Sequence, residues 1–307
     1  SAESMEMIRK LNAVAERSVA FDRSSGAEIA VVVDEESLLY LGTGFFDPMG
    51  NNLYRPLIME QRLAFGRLGA PVDWVLLDDL AEAPAYKMVV FLNAFHVTPS
   101  QQAAIEALGE RGTRAVVWVY APGLIGETLD VAGCEALTGI RLRMLADKSP
   151  LLVEMNGEMA GISEGVQYGT EHKIGPVLVG ADSEAEVLGE LDGVGEPGLV
   201  RKDVGGVMTY WSGAPKLPAV LLRQIAAEAG VHIYAWSGDG LYVNRSFIGL
   251  QARRDGQRTL HFPDPTDLYD VYREEQVASG ATAVTLTMSA RETQLFFRGH
   301  VEEWEKG

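Results

Sequence analysis

The sequence of 307 residues predicts an α/β fold built on a doubly wound parallel sheet, followed by a small C-terminal antiparallel β-sandwich. The first observation is a strand, helix, strand unit over residues 88–123, in which the apolar runs VVFL and AVVWVY flank a connection of one helix length. Such runs are typical of parallel strands that are covered on both faces. The second observation is a change from helical to alternating hydrophobicity near Gly230, which indicates a domain boundary.

The connection inside the strand, helix, strand unit carries its own start signal for a helix. Thr98 can cap the helix, Pro99 suits its first position, and Gln101 stands three residues after the threonine, as a capping box requires. Gly109 and Gly112 follow, and glycines at such positions are typical of a helix end. We therefore expect a crossover helix that begins near Pro99.

Earlier residues continue the alternation of strands and helices. Apolar runs at residues 28–33 and 72–77 predict two more strands, and a helix between them is expected to begin near Pro56 and end near Gly69. The order strand, helix, strand, strand, helix, strand is that of a doubly wound α/β sheet with right-handed crossovers.

The chain is predicted to contain three segments. Residues 1–25 form an amphipathic helix and linker, residues 26–230 the α/β domain, and residues 231–307 the β-sandwich. Within the α/β domain, short apolar pieces separated by glycines over residues 150–211 predict an excursion of antiparallel strands. A helix opened by Pro218 then returns to the parallel sheet.

Composition excludes several classes of function. The 43 acidic and 26 basic residues give a formal net charge of -17, which repels phosphate backbones, so we expect no nucleic-acid partner. No apolar run approaches the roughly 20 residues of a membrane span, and the first residues lack a signal-peptide pattern, which favours a soluble, cytoplasmic protein. The 5 histidines show no metal-binding spacing, so we predict no metal site. No cofactor motif stands in the context that it requires, so we also predict no cofactor.

The candidate site lies where the parallel strands end, because ligands of such sheets bind outside the carboxyl ends of the strands. Aromatic rings beside hydrogen-bonding groups suit sugars, so a carbohydrate is a possible ligand there. The residues predicted to line this crevice are Asn93, Phe95, His96, Tyr120 and Asp78. Acidic residues that end their strands at this crevice could act as acid and base, although capping a helix or lying in a solvated loop is commoner for such positions; they are Asp34, Glu35, Asp78 and Asp79.

Three further motifs are predicted to be structural. The GxGxxG match at residues 193–198 contains a proline and leads into a strand, so we interpret it as a hairpin turn rather than a dinucleotide site. The GxSxG match around Ser163 lacks the preceding strand and following helix of a nucleophile elbow, which favours a loop. Cys134 has no histidine near it in the sequence and is expected to be a buried, unreactive thiol.

Two long runs carry a resemblance to a known family. The runs FLNAFHVTPSQQAAIEAL, continuing to TRAVVWVYAPG, and SGAPKLPAVLLRQIAAEAGVHIYAWSGDGLYVN resemble the trimerisation domain and C-terminal β-domain of family 42 β-galactosidases and related glycoside hydrolases. The resemblance extends from Glu28 to about Phe297. It implies a flavodoxin-like fold similar to that of class I glutamine amidotransferases, and the leading helix resembles the linker that leaves the catalytic barrel.

The resemblance also implies which catalytic groups are missing. In those hydrolases the catalytic glutamates lie on a (β/α)₈ barrel, and no such repeat is found in this sequence. In amidotransferases a cysteine follows a central strand, whereas here Ala121-Pro122-Gly123 occupies that turn, and the only His-x-Glu sequence is His300-Val301-Glu302 near the end of the chain. We therefore assign no catalytic residues.

The function expected from the resemblance is a non-catalytic oligomerisation and architectural module of a β-galactosidase-like glycoside hydrolase. Its partners would be further copies of itself, with a trimer favoured, and a catalytic barrel domain if the chain is a fragment. The alternative is a stand-alone carbohydrate-binding or hydrolase-type protein that uses the crevice at the strand ends.

Overall fold

The computed structural model describes residues 2–41, 51–156, 159, 162 and 165–306. The chain divides into an α/β unit, Glu28–Phe65 with Val72–Val231, and a β unit, Ser1–Ala27 with Gly66–Pro71 and His232–Gly307. The three sequence segments predicted above, with limits at residues 25 and 230, stay a prediction.

Five parallel strands form one half of a nine-stranded sheet in the α/β unit. Their order is β2, β1, β3, β4, β11. The strands are β1 (Ile29–Val33), β2 (Val72–Leu76), β3 (Met88–Phe91), β4 (Ala115–Val119) and β11 (Val207–Ser212). Every residue of β3 and β4 is buried, as the apolar runs predict for strands covered on both faces.

Four antiparallel strands continue the same sheet beyond β11. They are β10 (Glu196–Val204), β9 (Glu186–Leu191), β6 (Ser149–Met155) and β7 (Gln167–Ile174), in that spatial order. A separate ribbon pairs β5 (Leu142–Leu145) with β8 (Val177–Gly180). The sheet is therefore mixed, and the predicted antiparallel excursion extends the parallel sheet.

The α/β unit has five short α-helices and one π-helix among its described residues. They are α2 (Glu35–Leu39), the π-helix (Arg55–Met59), α3 (Arg62–Phe65), α4 (Pro99–Glu106), α5 (Val131–Thr138) and α6 (Ala219–Glu228). The capping box of α4 is confirmed, since Thr98 accepts from Gln101 N and Gln101 accepts from Thr98 N. The single helix expected after Pro56 is instead divided between the π-helix and α3.

Aromatic stacking fills the centre of the parallel sheet. The rings of Phe91 on β3 and Trp118 on β4 stack at 4.2 Å with an interplanar angle of 11°. Trp211 on β11 is also fully buried, and its Nε1 donates to the carbonyl of Tyr120 at 3.0 Å. The core is therefore continuous across β3, β4 and β11.

The β unit contains a five-stranded antiparallel sheet in the order β12, β13, β16, β14, β15. The strands are β12 (Gly240–Val243), β13 (Phe247–Gln251), β14 (Gly256–Asp270), β15 (Glu275–Met288) and β16 (Thr293–Phe297). The predicted fold class, an α/β sheet followed by a small antiparallel β-domain, is confirmed. A buried ion pair in this unit joins Arg258 to Asp239, with Arg258 Nε 2.7 Å from Asp239 Oδ2.

Two terminal helices pack within the β unit, α1 (Ala2–Ser18) and α7 (Val301–Lys306). Phe21, just after α1, stacks on Trp304 of α7 with ring centroids 5.6 Å apart and an angle of 12°. Val14 packs against the same aromatic cluster. The C-terminal part of the predicted N-terminal helix thus packs against the rest of the β unit, whereas Ile8 and Leu11 on its earlier turns are exposed.

None of the helices in the described ranges combines the length and the apolar character that crossing a membrane requires.

Candidate functional site

The five parallel strands bring their carboxyl ends to one edge of the sheet. Asp34 directly follows β1, a 3₁₀ turn at Leu77–Asp79 follows β2, Asn93 is the second residue after β3, and Tyr120 directly follows β4. The residues predicted from the sequence therefore come from neighbouring strands of one edge. Their role in ligand binding stays a prediction.

Asn93 is fully buried, and both ends of its side-chain amide are used by the fold. Its Oδ1 accepts from Asp34 N at 2.9 Å, and its Nδ2 donates to Asp34 O at 2.7 Å. A buried amide in this arrangement satisfies backbone groups that the end of a strand would leave unpaired. Asn93 thus joins β3 to β1.

Asp78 is held by a residue that the site prediction did not include. Gln101 Nε2 lies 2.7 Å from Asp78 Oδ1 and 3.4 Å from Asp34 Oδ1, so one amide donates to two carboxylates. Asp34 also accepts from Ser37 N at 2.7 Å as the N-cap of α2, the structural alternative considered for it. The capping box predicted from the sequence places Gln101 in the first turn of α4, the helix that follows β3. This capping box was the sequence signal that could have identified Gln101 as a residue of the strand-end edge.

Phe95 and Tyr120 form one buried aromatic pair. Their rings meet edge to face at 6.0 Å, and the Tyr120 hydroxyl donates to Pro176 O at 2.7 Å. Tyr120 has a left-handed backbone, with φ of 67°, directly after β4. Burial raises the pKa of Tyr120 far above its ordinary value, so its hydroxyl stays protonated at neutral pH.

His96 is the predicted residue whose side chain is least committed. It is half-buried, and its Nδ1 is buried without a hydrogen-bond partner among the described residues. The ring lies 5.8 Å from that of Tyr40, while the backbone N of His96 donates to Ser37 Oγ at 3.1 Å. Ser37 Oγ also accepts from Phe95 N at 3.1 Å, so this hydroxyl is used to hold the turn.

The remaining sequence motifs have the following positions. Residues 193–198 cover the end of the turn between the antiparallel strands β9 and β10 and the first three residues of β10, as predicted for a hairpin. Cys134 is fully buried in α5, and burial raises the pKa of its thiol to about 12, so the thiolate is scarce at neutral pH. Ser163 lies outside the described residues. In the described part of the chain, no group of three or more His, Cys, Asp or Glu side chains is placed to hold a metal ion.

The strand-end edge therefore contains a connected structural network. Asn93 and Tyr120 have their side-chain polar atoms in hydrogen bonds to other parts of the fold, the exposed Asp78 accepts from Gln101 through Oδ1, and Phe95 is buried. A general base must lie within hydrogen-bond reach of the group whose proton it accepts. Among the described residues, His96 Nδ1 is buried without a hydrogen-bond partner, and the exposed carboxylate of Asp78 accepts from Gln101 through Oδ1, which leaves Oδ2 outside that bond.

Comparison with solved structures relates the fold to β-galactosidases. No protein-family model matches the sequence, and no curated protein is significantly similar to it. The β-galactosidase of Bacillus circulans sp. alkalophilus superposes with a TM-score of 0.66 at 19% identity, over 92% of this chain and 43% of its own. That of Marinomonas ef1 gives a TM-score of 0.60 at 17% identity, over 97% of this chain and 42% of its own.

A family 42 β-galactosidase from G. stearothermophilus gives a TM-score of 0.58 at 13% identity, over 90% of this chain and 41% of its own. The resemblance predicted from the sequence is confirmed as a likeness of fold. The chain spans about two fifths of the length of these enzymes.

Proposed function

We propose that this chain is a non-catalytic, homo-oligomeric architectural module of a β-galactosidase-like glycoside hydrolase, assembling as a trimer through its α/β unit. The observation that carries the proposal is the pattern of coverage. The fold accounts for 92% of this chain and only 43% of a β-galactosidase. In such an enzyme the glycosidic chemistry needs two carboxylates that flank the scissile bond, and a separate barrel domain would provide them.

The state of the strand-end edge supports a structural role for the α/β unit. The turn after β4 presents Tyr120 in the left-handed conformation, where a nucleophile elbow would present a reactive side chain. The Tyr120 hydroxyl donates a hydrogen bond to a backbone carbonyl and stays protonated. An edge held together in this way is suited to packing and assembly.

Sugar binding or hydrolysis at the same edge is the second candidate function, and His96 is the observation that favours it. Its Nδ1 is buried without a hydrogen-bond partner among the described residues, and Asn93 and Phe95 precede it in the same turn after β3. A sugar there would bind at His96 and the exposed carboxylate of Asp78, because Asn93 and Tyr120 use their polar atoms within the fold.

Two measurements on the purified chain test the proposed function. Sedimentation velocity over about a hundredfold range of concentration should give a single homo-oligomer larger than the monomer, because association is governed by mass action. Incubation with nitrophenyl β-galactosides should release no nitrophenol. A monomer at every concentration would overturn the assembly role, and turnover that is lost in His96→Ala would establish the second candidate in its place.

A further inference from the structure

A polar cavity of about 650 Å³ lies in the α/β unit, outside the residues predicted from the sequence. The π-helix, β7 and the loop after β11 form its walls. Its volume falls within the roughly 300 to 1,000 Å³ of small-molecule sites. The side chains that matter for its chemistry are Asn52, Arg55, Glu60, Glu171, His172 and Lys216.

The π-helix brings two charged residues of this cavity together. Residues five apart on an α-helix point about 140° away from each other. In the π-helix, Glu60 N instead donates to Arg55 O at 2.9 Å, which places the two residues one turn apart on the same face. Arg55 Nε consequently lies 2.8 Å from Glu60 Oε1. Such irregular turns are frequent at functional sites.

Lys216 reaches the same carboxylate from the other side. Its Nζ is 3.3 Å from Glu60 Oε2, so Glu60 binds two cations. Partial burial alone would raise the pKa of Glu60, but the hydrogen bonds and charges of Arg55 and Lys216 outweigh burial and hold this pKa below its usual value. The three side chains form a charged wall that is partly exposed to solvent.

The backbone of Lys216 is held in an unfavourable conformation. Its φ is 63°, a left-handed value that residues other than glycine adopt at a cost. The buried side chain of Gln61 fixes the following residue, accepting from Leu217 N at 2.7 Å and donating to Leu217 O at 3.0 Å. Glu60 therefore binds the side chain of Lys216 while Gln61 clamps the loop beside it. Strain that the surroundings impose in this way is typical of functional sites.

The balance of charge indicates the class of ligand. Arg55 and Lys216 contribute two positive charges, and Glu60 and Glu171 contribute two negative ones. A ligand with a net charge would meet attraction from one pair and repulsion from the other. Carboxylates accept hydrogen bonds and cations donate them, and a hydroxyl group can pair with both.

We infer that this cavity is a binding site for a neutral polyhydroxylated ligand, a mono- or disaccharide, with Arg55, Glu60 and Lys216 as its hydrogen-bonding groups. Pro56, Leu152 and Pro218 supply apolar surface for the C–H groups of a sugar ring. The inference is independent of the proposed assembly role, since it concerns groups of one chain.

Calorimetry and ligand-observed NMR on the full chain test the inference. The probes are galactose, glucose and lactose, with glucuronate and inorganic phosphate as anionic probes. At least one neutral sugar should bind more tightly than either anion. Lys216→Gly removes the charged group at a backbone position where glycine is favoured, so the variant should fold and bind the sugar about tenfold more weakly or worse. Glu60→Gln should weaken binding similarly.

Arg291→Gly is the matched control. Arg291 is an exposed cation with φ of 69° in the β unit and is absent from the cavity lining, so its replacement relieves the same backbone conformation and removes the same charge. Its sugar affinity should equal that of the unmodified chain. Three results would overturn the inference: no binding of any neutral sugar at tens of millimolar, tighter binding of glucuronate or phosphate, or unchanged affinity in Lys216→Gly.

Discussion

The side-chain amide of Asn93 is paired with the backbone of Asp34 by two hydrogen bonds, one in each direction. The residues follow β3 and β1, which are neighbours in the sheet, so this pair fixes the two carboxyl ends against each other. Asn93 has no exposed surface. A ligand could contact its amide only by displacing one of these bonds, which would leave a buried backbone group unpaired.

Replacing Asn93 with alanine should destabilise the fold strongly. The change removes both hydrogen bonds and buries Asp34 N and O without partners, at a cost on the order of 3 kcal/mol in the free energy of unfolding. Urea denaturation measures this value. Asn52→Ala, at an exposed asparagine, is the control and should change the free energy by less than about 0.5 kcal/mol. Equal stabilities of the two variants would contradict the structural role of Asn93.

Gln101→Glu should destabilise the protein in a manner that depends on pH. Glutamate keeps the oxygen that accepts from Thr98 N but replaces the donor to Asp34 and Asp78 with a third carboxylate. The new carboxyl is disfavoured when charged, so its folded pKa is raised above its unfolded pKa, and the native state binds more protons. The loss of stability should therefore be on the order of 2 kcal/mol at neutral pH and decrease as the pH falls towards about 4.

The measurement is urea denaturation of Gln101→Glu and the unmodified chain between pH 4 and 8, roughly spanning the titration of the new carboxyl. Gln102→Glu, exposed on the same helix, is the control, since it places a carboxylate beside Glu106 in solvent and should cost only about 0.5 kcal/mol. A difference between the two variants that does not change with pH would contradict the electrostatic explanation.

Asp239→Asn should remove an acid-sensitive contribution to the stability of the β unit. Burial alone would raise the pKa of Asp239, but its bonds from Arg253 N and Arg258 outweigh burial and lower the pKa. A carboxyl with a lowered folded pKa stabilises the fold above its unfolded pKa of about 3.9, and this contribution is lost as the pH falls through the folded pKa. The variant should lose on the order of 3 kcal/mol at neutral pH, because Arg258 is left buried without its partner.

Thermal unfolding between about pH 3 and 7, a range that extends below and above the unfolded pKa of about 3.9, measures the effect of Asp239→Asn. The difference in unfolding temperature between Asp239→Asn and the unmodified chain should become smaller as the pH falls. The exposed Asp264→Asn is the control and should be close to neutral throughout. A difference of constant size across the range would show that the charge of Asp239 does not contribute.

Trp304→Ala should release the N-terminal helix from the β unit. Trp304 stacks on Phe21, and Arg17 of α1 lies over its ring at 5.3 Å. Removing the indole leaves a cavity and costs about 3 to 5 kcal/mol where packing is complete. Hydrogen exchange of α1 amides should become faster in Trp304→Ala, whereas Trp236→Ala, at an exposed tryptophan, should leave it unchanged. Unchanged exchange in Trp304→Ala would contradict docking of α1 through this cluster.

The strand-end site was only partly predictable. The positions of Asn93, Asp78 and Tyr120 follow from the strands that precede them, so their common edge could be inferred. Their partners could not, because Asn93 bonds to a residue 59 positions away and Tyr120 to one 56 positions away. Sequence reasoning could identify the residues at the edge but not whether other parts of the fold already occupied their hydrogen-bonding groups.

The cavity beside Lys216 had no signal in the sequence. Its π-helix occupies residues where apolar spacing predicts an ordinary helix, and Lys216 is not a residue type that predicts a left-handed turn. Both depend on contacts between distant segments, including the bond from Gln61 to Leu217 across 156 positions.

The sequence by itself determined the alternation of strands and helices, the capping box of α4 and the burial of β3 and β4. These depend on the preferences of residues close together in the chain, and hydrophobic runs and caps express those preferences directly. Only the tertiary structure decided that the antiparallel strands extend the parallel sheet, that the amide of Asn93 is already paired, and that Arg55, Glu60 and Lys216 share one cavity. Those outcomes depend on which distant backbone edges and polar groups meet when the core closes, and each buried group must then find a partner there.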